Sequence, residues 1–157
     1  ENVYFVCTNG QRDLCCARYG LPTFARLQEL VGARVWQTTH LGGHRFAPNV
    51  LALPQGILYG RVDVDVVDAF VTTIESGDVS RSHVRGRSAF PPEAQFAEMQ
   101  VAGRVEALLD IRDDRVRFRT NLGEEEVQVR SASIPMQIIA SCGDAESEDV
   151  YPISGTA

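Results

Sequence analysis

Lysine is absent from this chain; all fifteen basic residues are arginine. That excludes a Schiff-base lysine and the lysine of a phosphate-binding P-loop. No apolar run approaches the ~18–20 residues of a membrane span, and no signal peptide is visible. There is no C-x-x-C motif of the thioredoxin redox type and no G-x-G-x-x-G nucleotide loop. No nucleophile, base and oxyanion set for hydrolysis stands out, nor a carboxylate pair of glycosidase type. Internal repeats and low-complexity tracts are also missing. Net charge is −6, which argues against broad attraction to nucleic acid or to an anionic membrane.

What is present is an ordinary globular composition, 44% hydrophobic and 23% charged over 157 residues. That is enough for one well-buried core with an extension. The four cysteines are Cys7, Cys15, Cys16 and Cys142. A chain with a full apolar core does not need disulfide staples, so a reducing, cytoplasmic location is expected. There, cysteines that accompany histidines point to metal or redox chemistry more often than to structure.

In chain order, residues 2–6 read as a strand, and Thr8-Asn9-Gly10 as a turn. Residues 11–20 read as a loop carrying Cys15 and Cys16. Pro22 and Thr23 start a helix with Phe24, Leu27, Leu30 and Val31 inward and Gly32 as its stop. A strand over 35–39 follows. His40 and His44 then flank a Gly-Gly pair, a poor helix interior, so they are placed on a loop. Strands over 50–53 and 57–62 form a hairpin around Pro54-Gln55-Gly56. Asp65 caps a helix with Val66, Val67, Phe70, Val71 and Ile74 on its buried side, ended by Gly77.

This β-α-β-β-β-α order covers residues 1–80 as one domain. Residues 81–157 form an α+β extension. Residues 80–88, with His83, Arg85 and Arg87, read as an exposed connection. A helix is expected over 93–109 and a hairpin around Asn121-Leu122-Gly123, with Glu124–Glu126 as its solvated tip. A third strand is expected over 134–140, followed by a loosely ordered acidic tail from about 143.

Two loops at one end of the sheet thus offer Cys7 and Cys16 (C-x8-C) and His40 and His44 (H-x3-H). Two thiolates and two imidazoles suit zinc or a [2Fe–2S] cluster. Cys15 is an alternative to Cys16. Cys142 reads as a structural or incidental thiol rather than a ligand. Arg12 and Asp13 can pin the first loop as an ion pair, and Arg45 can tune the site electrostatically.

The run Val6-Cys7-Thr8-Asn9-Gly10-Gln11-Arg12-Asp13-Leu14-Cys15-Cys16, with His40-Leu41-Gly42-Gly43-His44, Ala47-Pro48 and Tyr59-Gly60, resembles the sucrase/ferredoxin-like family. That family is a histidine-bearing relative of the thioredoxin-like [2Fe–2S] ferredoxins. The resemblance is strong over residues 3–61 and weaker through Arg85-Gly86-Arg87-Ser88 and Pro91-Pro92.

It implies a thioredoxin-like α/β core and an electron carrier rather than a stand-alone enzyme. Its cofactor would be a [2Fe–2S] cluster with Cys7 and Cys16 on one iron and His40 and His44 on the other. Arg12 and Arg45 would lie around it, and the partner would be another redox protein or a reductase. A homo-oligomer is compatible with all of this. Exchanging thiolate for neutral imidazole makes a cluster easier to reduce. Rieske centres reach about −150 to +300 mV, against about −400 mV for plant-type ferredoxins. A proton on the ring nitrogen away from iron would couple that potential to pH. A structural zinc module and a thiol oxidoreductase are the competing readings.

Overall fold

Tyr4 and Val6 are fully buried while Val3 and Phe5 are half-buried, the alternation of a strand with one face on the core. This strand, β1 (Val3–Cys7), is central to a five-stranded sheet in the computed structural model, which describes residues 1–139 and 146–156. Its neighbours are β2 (Val35–Thr38), parallel to it, and β3 (Val50–Leu53), antiparallel. Two more antiparallel strands, β4 (Ile57–Tyr59) and β5 (Val84–Arg87), complete the order β2-β1-β3-β4-β5.

The helices α1 (Leu14–Val31) and α2 (Val67–Glu75) pack against each other, and α1 also packs on β1 and β2. Leu27, Val31, Phe70 and Ile74 meet Tyr4, Val50, Ile57 and Tyr59 in one apolar cluster. At the helix–sheet boundary the buried Thr23 hydroxyl donates to the Val62 carbonyl at 2.8 Å.

The structure corrects several expectations. α1 begins at Leu14, eight residues before Pro22, which sits inside the helix. The cause is Asp13, whose extended backbone and carboxylate, accepting from the Cys15 amide at 2.8 Å, make it the N-cap. Cys15 and Cys16 therefore lie in the first helical turn and not in a loop. Residues 84–87 form the edge strand β5 rather than a surface connection. Asp65 does not cap α2; Asp63 organises that entry, its carboxylate accepting from the Asp65 amide and its carbonyl from the Val67 amide.

The chain divides into two compact units, Glu1–Arg87 with Ile139–Glu148, and Ser88–Ile138 with Asp149–Ala157. The second unit holds α3 (Pro92–Glu98) and the strands β6 (Val105–Arg112), β7 (Arg115–Thr120) and β8 (Gly123–Ser131). With β11 (Ile153–Thr156) they form an antiparallel sheet in the order β11-β8-β7-β6. Val116, Phe118, Val127 and Val129 cover Ala94 and Ala97 from this sheet.

The helix expected over 93–109 ends at Glu98, and its second half is β6. A Cβ on Gly103 would lie 2.3 Å from the Thr120 hydroxyl, so the chain there runs against β7 instead of coiling. Of the strand expected over 134–140, only Met136–Ile138 is extended, as β9; it pairs with β10 (Glu148–Val150), and residue 140 lies outside the described residues. The tail is not loose where it is described, since β11 pairs with β8 from Ile153 to Thr156. Glu124–Glu126 belong to β8, where Glu125 accepts from the Ala102 and Gly103 amides, both at 2.9 Å.

Candidate metal centre

Cys7 ends β1, and the chain then turns sharply into α1. The Asn9 carboxamide oxygen accepts from the Gln11 and Arg12 amides, both at 3.2 Å, and Asp13 caps the helix. Close packing presses the start of α1 onto this turn. A Cβ on Gly20 would sit 2.2 Å from the Cys7 carbonyl oxygen, and one on Gly10 would sit 2.7 Å from the Ala17 Cβ. The Cys16 side chain consequently lies beside Cys7. Both thiols are free and buried. Cys15, the alternative donor, is disulfide-bonded, which removes its thiolate from the candidate set. Cys142 lies outside the described residues.

The second pair rides on a loop between β2 and β3. Gly42 (φ 82°) and Gly43 (φ 64°) take left-handed backbone that other residues adopt only at a cost. A 3₁₀ turn at His44–Phe46 follows, closed by the Phe46 amide on the Gly43 carbonyl (3.0 Å) and the Ala47 amide on the His44 carbonyl (2.8 Å). This geometry stacks the rings of His40 and His44, 4.2 Å between centroids and 21° apart. Nδ1 of His44 lies 3.7 Å from the Cys16 sulfur and 3.8 Å from the Asp13 carboxylate. The four side chains form a continuous row, Cys7–Cys16–His44–His40, that runs from the core to the surface. Cys7 and Cys16 are sealed, the His44 side chain is 11% exposed, and His40 is open to solvent.

The electrostatics follow that gradient. Burial, then the neighbouring Cys7 and the charge of Asp13, push the Cys16 thiol up to about 12. Without a cation beside it, this sulfur stays protonated. The His40 imidazole is held below its ordinary range by burial, by His44 and by Arg12, with Asp13 acting in the opposite sense.

Two residues outside the expected set brace the histidine loop. Asn49, fully buried, donates through Nδ2 to the Gly43 carbonyl (3.1 Å), and its own carbonyl accepts from the Cys7 amide (3.0 Å). It therefore ties the cysteine strand to the histidine loop. From β5, the Arg85 guanidinium donates to the Gly42 carbonyl (2.9 Å) and the Asn49 Oδ1 (3.2 Å). It occupies the space that a side chain on Gly43 would need, 2.2 Å from an added Cβ. The sequence signal for Arg85 was limited to its place in Arg85-Gly86-Arg87-Ser88, where the family resemblance is weak. Neither residue type announces a loop brace. Of the other basic residues considered, Arg45 stacks on the Phe46 ring, 4.6 Å from its centroid. His83 is held by the Ser80 and Ser82 hydroxyls at 2.9 and 3.0 Å rather than being simply solvated.

The sequence model of the Sucrase/ferredoxin-like family matches residues 1–86, more than half of the chain. The chain belongs to the sucrase/ferredoxin-like family. A curated relative, Altered inheritance of mitochondria protein 32 from Meyerozyma guilliermondii, is 35% identical over 98 residues, covering 55% of this chain and 34% of its own length. The chain thus spans about a third of that relative.

Among solved structures, a thioredoxin-like [2Fe–2S] ferredoxin from Aquifex aeolicus is similar at a TM-score of 0.50 and 22% identity, covering 58% of this chain and 94% of that one. A second structure of the wild-type ferredoxin gives 0.48 and 20%, covering 55% and 97%. At this identity the likeness establishes the fold. The family-matched segment is also the segment that holds the row of cysteines and histidines and Arg85.

No described helix is long and apolar enough to cross a membrane. Among the described residues no three side chains of His, Cys, Asp and Glu gather closely enough to hold a single metal ion. The four candidate donors meet as successive neighbours, Cys7 beside Cys16, Cys16 beside His44, and His44 stacked on His40.

Proposed function

We propose that this protein transfers single electrons through a [2Fe–2S] cluster held by Cys7, Cys16, His40 and His44. The observation that carries the reading is the unbroken row Cys7–Cys16–His44–His40, two donors at each end. A binuclear cluster takes two protein donors on each iron, so a thiol pair next to an imidazole pair, with no three donors gathered as for one ion among the described residues, fits it better than one tetrahedral ion. Membership of the family and the fold shared with a ferredoxin support the same conclusion. Bound there, the cluster would supply reversible one-electron chemistry.

The chain's own residues do the rest. Cys7 and Cys16 sit on β1 and α1, rigid elements that keep water away from the thiolate side. His40, at the exposed end, is where a ring nitrogen can exchange a proton with solvent as charge changes, which makes the potential pH-dependent. The backbones of Gly42 and Gly43 bring both imidazoles to one place.

The test is anaerobic preparation with iron and sulfide analysis and EPR of the reduced protein. Two irons and two sulfides per chain with a reducible visible spectrum are expected. Colourless protein with one zinc per chain would replace this reading with a structural zinc module.

A further inference from the structure

Although the whole chain is acidic, residues 1–87 carry nine arginines against eight acidic residues, so the negative charge resides in the remainder. Within this half, the carboxylates Glu29, Asp68 and Glu75 are engaged with Arg26 and Arg34. Asp13 is buried under the helix start. Beside the histidine loop the balance is different. Three guanidinium groups surround one aromatic ring, that of Phe46. Arg45 lies at 4.6 Å, Arg85 at 4.8 Å and Arg61 at 5.7 Å from its centroid.

Arg45 and Arg61 are exposed, and among the described residues neither forms an ion pair. Arg85 and Arg45 are close enough to repel, which with burial lowers the affinity of Arg85 for its proton. Arg12 adds a further positive charge that reaches His40.

The arrangement is held in place by backbone. The Arg61 amide donates to the Phe46 carbonyl at 2.7 Å, and Arg61 itself is in left-handed conformation, φ 57°. A Cβ on Gly60 would lie 2.8 Å from the Phe46 Cβ, so the two segments touch directly. Like charges gathered on one ring, two of them in no ion pair among the described residues, are an unfavourable arrangement that an incoming anion relieves. Their position matters equally, because Arg45 directly follows His44, and His40 is the open end of the donor row.

We infer that Arg45, Arg61 and Phe46, backed by Arg85, form the docking surface for a carboxylate-rich face of a protein electron partner. Docked there, the partner lies against the exposed imidazole end. The function of the surface rests on the electron-transfer reading above, but its charge chemistry does not. Local positive potential on a chain that is negative elsewhere orients an acidic partner as it approaches and speeds encounter at low salt.

Two measurements decide it. In the first, a polyglutamate peptide is titrated into the ¹⁵N-labelled full chain at low ionic strength. Shifts are expected at the Arg45, Phe46 and Arg61 amides and the Arg85 side chain, lost in R45E/R61E and retained in R112E/R130E, a charge-matched pair of changes on β6 and β8. Shifts centred on the arginines of β7, or no shifts, would overturn the proposal. So would displacement of the peptide by inorganic phosphate but not by chloride at equal ionic strength, since that marks a small-anion site only.

In the second, the dithionite-reduced protein passes one electron either to ferricyanide or to hexaammineruthenium(III), each metal centre falling from the +3 to the +2 state. R45E/R61E should slow the anionic oxidant about tenfold at low salt and speed the cationic one. Equal effects on both oxidants would overturn the proposal. A preparation without iron removes only the second measurement and the electron-transfer reading; the peptide titration still decides the surface.

Discussion

Asn49→Ala tests whether the two halves of the donor row are held by one buried amide. The mutation deletes the Nδ2 bond to the Gly43 carbonyl (3.1 Å) and the Oδ1 acceptor for Arg85 (3.2 Å), and leaves the backbone bond from the Cys7 amide in place. The first bond is neutral and contributes about 1 kcal/mol net; the second has a charged donor and contributes about 1.5–3 kcal/mol. The Gly43 carbonyl and a partly buried guanidinium are then left short of partners, so a total cost of about 2–4 kcal/mol is expected.

Urea unfolding measures this directly. Hydrogen exchange then locates it, because the Phe46 and Ala47 amides, which close the 3₁₀ turn, should lose protection before the core of β1 does. Asn49→Asp is the informative control. It keeps an acceptor for Arg85, now as an ion pair, but turns an anionic oxygen toward the Gly43 carbonyl. It should recover part of the stability while leaving the turn open. A cost below about 1 kcal/mol, with unchanged exchange at Phe46 and Ala47, would refute the bracing role argued for Asn49 and Arg85.

Gly20→Ala places a methyl 2.2 Å from the Cys7 carbonyl oxygen, a backbone atom that cannot rotate away. Overpacking of this kind costs about 1–3 kcal/mol, and cofactor content should fall with it; normal stability and loading would contradict the close crossing of α1 over β1. Asp13→Ala removes the N-cap of α1, for an expected loss of about 0.5–2 kcal/mol in thermal or urea unfolding, whereas Asp13→Asn should restore most of it.

Replacing His40 and His44 with Cys should keep a cluster and lower its potential, and the wild-type potential should fall as pH rises from 6 to 9. A flat profile sinks the proton-coupled part. Glu75 supplies an acid-stability marker. Burial alone would raise its carboxyl, but hydrogen bonds from Arg34 and Tyr4 and the Arg34 charge hold it net below the usual range. Its folded value is depressed, so its contribution is complete above the unfolded value of about 4.5 and is lost as pH falls through the folded one. Glu75→Gln should flatten stability across that acidic window, and an unchanged acid slope would count against it.

The first half of the chain was legible because its local signals agree with its tertiary structure. Val3–Cys7 and Val35–Thr38 are rich in β-branched or aromatic residues, and Gly42-Gly43 marks a loop unambiguously. The four candidate donors could be named because chemistry of this type concentrates in so few residues. Where reading failed, a strong local signal was overruled by a more distant partner. Pro22 looked like a helix start, yet Asp13 had already nucleated the helix. A proline in the interior costs one hydrogen bond that an 18-residue amphipathic helix packed on a sheet can absorb. Ala97, Val101, Val105 and Leu108 have helical spacing, but Val105 to Arg112 finds a complete ladder on β7, and Gly103 fits only a chain lying against Thr120. Pairing energy across a sheet is invisible to a window of ten residues.

The braces were the least legible part, and the reason bears on how such a centre works. A ligand must be a particular residue type, whereas a brace need only reach two carbonyls from wherever the fold puts it. Asn49 and Arg85 are separated by 36 positions and meet only because β3, β4 and β5 are neighbours in the sheet. The same sheet order carries Arg85 beneath Phe46, so the residue that fixes the histidine loop also anchors the guanidinium cluster at the open end of the row. Positioning of the imidazoles and the charge around them are thus linked through one side chain. Arg85→Lys keeps the charge but not the forked pair of donors. It should therefore loosen the Phe46 and Ala47 amides in hydrogen exchange while leaving polyglutamate binding nearly intact, and Arg85→Gln should damage both. Equal effects of the two variants on binding and exchange would separate those roles and break the link.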